Sequence, residues 1–117
     1  MNTRRFGLHG EGIAARFVEE LGFEILERNY NTRSGEVDIV GRRSDVLVFF
    51  EVKSRQAAGI EDLEYLMTPR KQQRIIRTAK HFLMTRREYS GCCIRFDVIL
   101  VDLGDGAVTH IPSAFEE

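Results

Sequence analysis

A chain of 117 residues with 43% hydrophobic and 30% charged content is long enough for one ordinary domain with a real core and too short for two. Its formal net charge of −1 is not by itself the footprint of a nucleic-acid binder, and no apolar run reaches the roughly 18 residues that span a bilayer. The only cysteines, Cys92 and Cys93, are adjacent, which suits neither a disulfide framework nor the spaced ligand pairs of a zinc site. The start, Met1-Asn2-Thr3-Arg4-Arg5, leads into a Gly- and Glu-containing segment rather than an apolar signal core. A cytoplasmic protein without a membrane partner is expected, folded as a single domain over residues 1–117.

The pattern in chain order predicts a helix from about Leu8 to Leu21, because Ala14, Val18 and Leu21 recur at helical spacing beside Phe17, and Gly22 follows as a stop. One turn back, the same stripe lands on Glu11. Phe23 to Tyr30 reads as a strand, and Asn31 to Gly35 has turn chemistry, with Gly35 serving the turn. Two further strands follow, Glu36 to Arg42 and Val46 to Lys53, joined around Ser44-Asp45. Ser54 to Met67 has no strong period and reads as a loop. Thr68-Pro69 is a helix start, with Thr as N-cap and Pro at the first helical position. Ile75, Ile76, Ala79, Phe82 and Leu83 form the buried stripe of that helix. Strands from Cys93 to Leu103 and from Ala107 to Ile111 close the chain across the Gly104-Asp105-Gly106 turn. The order α-β-β-β-α-β-β predicts an α/β fold, a central mixed sheet of about five strands flanked by helices, with the second helix in a crossover.

The middle strands carry charges where burial is expected. If they pair as a hairpin with an even-numbered loop, opposed residues sum to 89. Asp38 then faces Glu51, Glu36 faces Lys53, and all four project from one face. Val37, Ile39, Val48, Phe50 and Val52 occupy the other. Directly opposed Cβ atoms lie roughly 4.5 to 5.5 Å apart, where two carboxylates repel by about 1 to 3 kcal/mol depending on screening. A hard divalent cation such as Mg²⁺ removes that repulsion, and Lys53 then stands ready to orient or deprotonate a water or to stabilise charge on a phosphate. A solvated salt-bridge cluster at a fraying hairpin end accounts for the same spacing. Glu11 is either a third carboxylate at the metal or a favourable charge near a helix N-terminus. Arg55 is a phosphate contact or an exposed strand-end residue. From Arg70 to Arg87 there are seven basic residues and no acidic one, either a solvated face or a surface that tracks backbone phosphates through Arg70, Lys71, Arg74 and Arg77. His9, His81 and His110 form no site by spacing.

The stretches "GEGIAARFVEELGFEILERNYNTRSGEVDIV", "VFFEVKSR", "RFDVILV" and "HIPSAF" together resemble the YraN-like family of uncharacterised bacterial proteins over nearly the whole chain. That family is similar to the PD-(D/E)XK nuclease superfamily, which includes restriction endonucleases and archaeal Holliday-junction resolvases. The resemblance implies a restriction-endonuclease-like fold and a metal-dependent nuclease hydrolysing DNA phosphodiester bonds at branched or processed structures. It implies one or two Mg²⁺ or Mn²⁺ ions on Asp38, Glu51 and Glu11, with Glu11, Asp38, Glu51 and Lys53 as the catalytic set, and a homodimer. Val37 stands where the superfamily's name has proline. A non-catalytic nucleic-acid-binding module, or a partner in a DNA repair or uptake assembly, is the alternative.

Overall fold

The computed structural model describes residues 3–55 and 66–117, with side chains from residue 9 onward. Helix α1 spans Thr3–Glu20, strands β1, β2 and β3 span Glu24–Thr32, Gly35–Arg43 and Val46–Arg55, helix α2 spans Pro69–Thr85, and β4 and β5 span Cys93–Asp102 and Val108–Phe115. The sheet order is β1-β2-β3-β4-β5. Neighbours are antiparallel except β3 and β4, which are parallel. A parallel pair needs a long connection, and α2 lies in that crossover. The expected order and class are those observed. Most of the expected loop from Ser54 to Met67 falls outside the described residues.

The sheet is covered on both sides, which is why β3 and β4 read as continuous apolar runs rather than alternating ones. Ala14, Ala15 and Val18 of α1 pack on Ile39, Val48, Phe50, Ile99 and Val101. Ile75, Ile76, Ala79 and Phe82 of α2 pack on Val40, Leu47, Phe49, Val98 and Leu100. Each large side chain so buried contributes about 1.5–3 kcal/mol. Thr68 caps α2 as its residue type predicts, with Oγ1 accepting from Lys71 N at 3.3 Å, and Pro69 opens the helix.

Several ends differ from expectation: β1 runs on to Thr32, into the expected turn, and β3 to Arg55. Helix α1 begins at Thr3 rather than Leu8, since no proline interrupts that stretch. Strand β5 runs on to Phe115 instead of stopping at Ile111. It passes Pro112 because it is an edge strand, where a missing N–H is tolerated, and because Ser113 takes a left-handed φ of 51° opposite an irregularity between Phe96 and Val98. Phe115, 8% exposed, completes the core under α2.

Candidate functional site

The β2/β3 hairpin has the register that opposed residues summing to 89 require: Ile39 pairs with Phe50, Val40 with Phe49, and Arg43 with Val46 across a two-residue turn. The ladder stops at Ile39. Beyond it the strands part, and the Asp38 carboxylate enters the gap, where Oδ2 accepts from Val52 N at 2.7 Å. Asp38 is therefore not a simple cross-strand partner of Glu51, although the two carboxyls still interact. Nor does Val37 share a face with Ile39, as strict alternation predicts. Val37 and its β1 partner Tyr30 pack under α2, whereas Ile39 packs under α1.

The cause lies on β1. Asn29, between Arg28 and Tyr30, has a φ of 54°, a left-handed conformation that asparagine adopts more readily than most residues. This turns the strand over just opposite Asp38. The Asn29 amide nitrogen, oriented by its surroundings, lies 3.3 Å from both Glu11 carboxylate oxygens and 3.1 Å from Glu36 Oε1. Gly10 brings α1 to this place. A Cβ there would lie 1.6 Å from Ser54 Oγ and 2.5 Å from Ser54 Cβ, so only glycine lets the helix approach β3 and deliver Glu11. On the other side, Gly35 (φ 152°) turns the chain into β2. The turn is tied to α2 by the Thr32 and Thr78 hydroxyls, 3.5 Å apart.

The result is a cleft of about 450 Å³ lined by Glu11, Gly35, Glu36, Asp38, Glu51, Lys53, Lys71 and Arg74. Oxygens of Glu11, Glu36 and Asp38 all lie within 4.8 Å of one another. Glu51 adjoins them and is 8% exposed, with Lys53 Nζ at 3.9 Å and Lys71 Nζ at 4.0 Å from the same oxygen, Oε1. Burial first, and then the Glu51 charge, push the Asp38 carboxyl up to about 8. Glu11 is raised by burial and then by Asp38, and Glu36 likewise. Burial, followed by the neighbouring Lys53, lowers Lys71 to about 8. A nearby positive charge would lower the cost of ionising these carboxyls. Their hard oxygens match Mg²⁺ or Mn²⁺ and not a soft metal.

All four residues expected to be catalytic, Glu11, Asp38, Glu51 and Lys53, line this cleft. The compact oxygen trio contains Glu36 where Glu51 was expected. Of the expected phosphate contacts, Lys71 and Arg74 line the cleft, whereas Arg55, Arg70 and Arg77 are exposed and do not. Asn29 belongs to the site without having been expected there, yet an asparagine of low strand propensity inside "ERNYNT" marks an irregular strand. His81 bonds the Tyr30 hydroxyl at 2.8 Å and His110 bonds Asp97 at 2.7 Å, consistent with structural histidines. Among the described residues no helix is long and apolar enough to cross a membrane.

Comparison with known proteins agrees with the family resemblance carried by the Gly-Glu, Glu-Val-Asp and Glu-Val-Lys stretches. A UPF0102 protein of Treponema pallidum is 40% identical over 121 residues, covering 99% of this chain and 96% of the relative. UPF0102 proteins of Rhodopseudomonas palustris and Anaeromyxobacter dehalogenans are 39% and 42% identical over 112 residues, covering 96% and 94% of this chain and 84% and 83% of theirs. Among solved structures, an EndoMS–dsDNA2 complex is 26% identical, with a TM-score of 0.38 over 79% of this chain and 35% of that one. SfsA of Pyrococcus furiosus with Ca²⁺ is 17% identical, with a TM-score of 0.33 over 99% of this chain and 66% of that one. The model of the uncharacterised protein family UPF0102 matches residues 10–101, and the chain belongs to that family.

Proposed function

We propose that this chain is a metal-dependent nuclease, a single domain over residues 1–117, that hydrolyses DNA phosphodiester bonds at branched or processed structures in the cytoplasm, as a homodimer. The observation that carries the reading is the convergence of Glu11, Glu36, Asp38 and Glu51 on one cleft with Lys53. Glu11, Glu36 and Asp38, crowded together and raised above the ordinary carboxylate range by burial and by one another, are poor structural choices and good ligands.

Glu11, Glu36 and Asp38 would hold Mg²⁺ or Mn²⁺, with Glu51 beside them. Such an ion, when bound, supplies charge that polarises a phosphodiester and eases loss of a proton from water. Hydrolysis joins the water oxygen to phosphorus, while the ester oxygen leaves with the bonding pair and takes up a proton. Glu51 holds Lys53 at the cleft wall, so that its ammonium faces the attacking water or the charge gathering on the phosphate. The Val52 N–H fixes the rotamer of Asp38 and leaves its second oxygen for the ion. Exposed Arg55, Arg70 and Arg77 track flanking phosphates.

The test is a titration of Mg²⁺ and Mn²⁺ with duplex, single-stranded and four-way-junction DNA. Metal-dependent cleavage lost in Asp38→Asn and Glu51→Gln, with folding and DNA binding kept, supports the nuclease. Binding that weakens steeply with salt, without cleavage or metal dependence, contradicts it and marks a binding module.

A further inference from the structure

Of the basic helix, Lys71 and Arg74 line the cleft, and Lys71 is the less exposed of the two. Arg70 and Arg77 are exposed and Lys80 pairs with Glu117 at 2.6 Å, whereas the Lys71 side chain is 27% exposed and its Nζ lies 4.0 Å from Glu51 Oε1, the oxygen that Lys53 approaches from 3.9 Å. Both separations exceed a full hydrogen bond. An ammonium has three donors to place, so neither lysine is consumed by the glutamate, and both border the cleft. The first turn of α2 is anchored: Thr68 caps the Lys71 N–H at 3.3 Å, and Gln72 Nε2 donates to Met67 O at 2.9 Å.

The charges around the cleft point the same way. Among the described lining residues, with all groups ionised, four carboxylates against Lys53, Lys71 and Arg74 leave one negative charge in excess. One divalent cation turns that into one positive charge, the complement of a single phosphodiester. Without Lys71 the loaded cleft would be neutral and would have no electrostatic preference for an anion.

We propose that Lys71 is a catalytic residue that contacts the reacting phosphate from α2, forming with Lys53 of β3 a two-ammonium clamp on either side of Glu51. The inference rests on the nuclease reading and adds a residue to it. Lys71 acts on the charge that gathers on the non-bridging oxygens during attack, as preorganised cations do.

The variants are Lys71→Met, which keeps the side-chain length without the charge, and Lys71→Arg, which keeps the charge. Duplex, single-stranded and four-way-junction DNA are each bound in Ca²⁺ and cleaved in Mn²⁺ at saturating protein, and rates are compared on the form the wild type cuts fastest. In Lys71→Met the single-turnover rate falls about 100-fold and DNA affinity less than about threefold, while Lys71→Arg recovers part of the rate. The variant also binds Mn²⁺ more tightly, having lost a competing cation beside Glu51. Cleavage by Lys71→Met at the wild-type rate overturns the proposal, as does a defect confined to DNA affinity. If the wild type cleaves no DNA, the nuclease reading falls, and thymidine 5′-monophosphate binding in Ca²⁺ decides the clamp. Binding weakened by about tenfold in Lys71→Met supports it, and equal binding overturns it.

Discussion

Asp38 and Asp97 are both strand aspartates withdrawn from water on the same sheet, and they are treated in opposite ways. Asp97 on β4 is fully buried, and every bond it makes suits an anion: Arg95 donates to both oxygens at 2.9 Å, Ser113 N to Oδ1 at 3.0 Å, and His110 Nε2 lies 2.7 Å from Oδ2. Asp38 receives one backbone N–H and stands among Glu11, Glu36 and Glu51. The first carboxylate is completed by the protein. Among the described residues, the second keeps only that N–H and the nearby Lys53 charge against three acids. Asp97 is the more deeply buried of the two, and the sign of the neighbours also differs, positive around Asp97 and mostly negative around Asp38.

Breaking the satisfied site has the largest effect on stability. Asp97→Ala strands Arg95 and His110 and removes the bond that holds the irregular turn of β5 to β4, so urea denaturation shows a loss of about 3–5 kcal/mol. Asp38→Asn does the reverse. Because the folded state raises this carboxyl to about 8 from an ordinary value of 3.8, its contribution to stability is full below the unfolded value and is lost as pH rises through the folded one. The ion-free wild type thus loses stability between about pH 4 and pH 8, by up to ~1.4 kcal/mol for each pH unit crossed. Asp38→Asn flattens that slope and is the more stable protein at pH 8. Thermal melts across the range, with and without Mg²⁺, check both statements, since Mg²⁺ restores the wild type at pH 8 and does little at pH 5.

A smaller effect sharpens the role of helix placement. Gly10→Ala forces α1 off Ser54, at about 1–3 kcal/mol, and weakens Mn²⁺ binding by moving Glu11. Adding Ser54→Gly removes both clashing atoms and recovers most of each loss, which a double-mutant cycle measures. Asn29→Gly is smaller still. Glycine accepts the left-handed φ, so stability changes by about 1 kcal/mol or less, and a calorimetric titration sees Mn²⁺ affinity change because the amide no longer spaces Glu11 from Glu36.

The hairpin register was legible because opposed residues and a two-residue turn leave few alternatives, and both helix stripes were legible because apolar residues recur at their spacing. What escaped is what departs from ideal geometry. The turn-over at Asn29 sends Val37 under α2, opens the strands at Asp38 and brings Glu36 into the oxygen trio, none of which alternation contains. Of the partners of Asp97, Arg95 is local, but His110 and Ser113 lie 13 and 16 residues away across a bulge, beyond any local pattern. Lys71 looked like one cation of a basic face, since only tertiary packing shows that the first turn of α2 overlies Glu51.

The most direct test of the central claim, that the acids around Asp38 await a cation while Asp97 does not, is Mn²⁺ binding at pH 7.5 followed by electron paramagnetic resonance. The wild type and Asp97→Asn bind the ion, whereas Asp38→Asn and Glu11→Gln lose it. Binding of equal affinity by Asp38→Asn and the wild type would contradict the account.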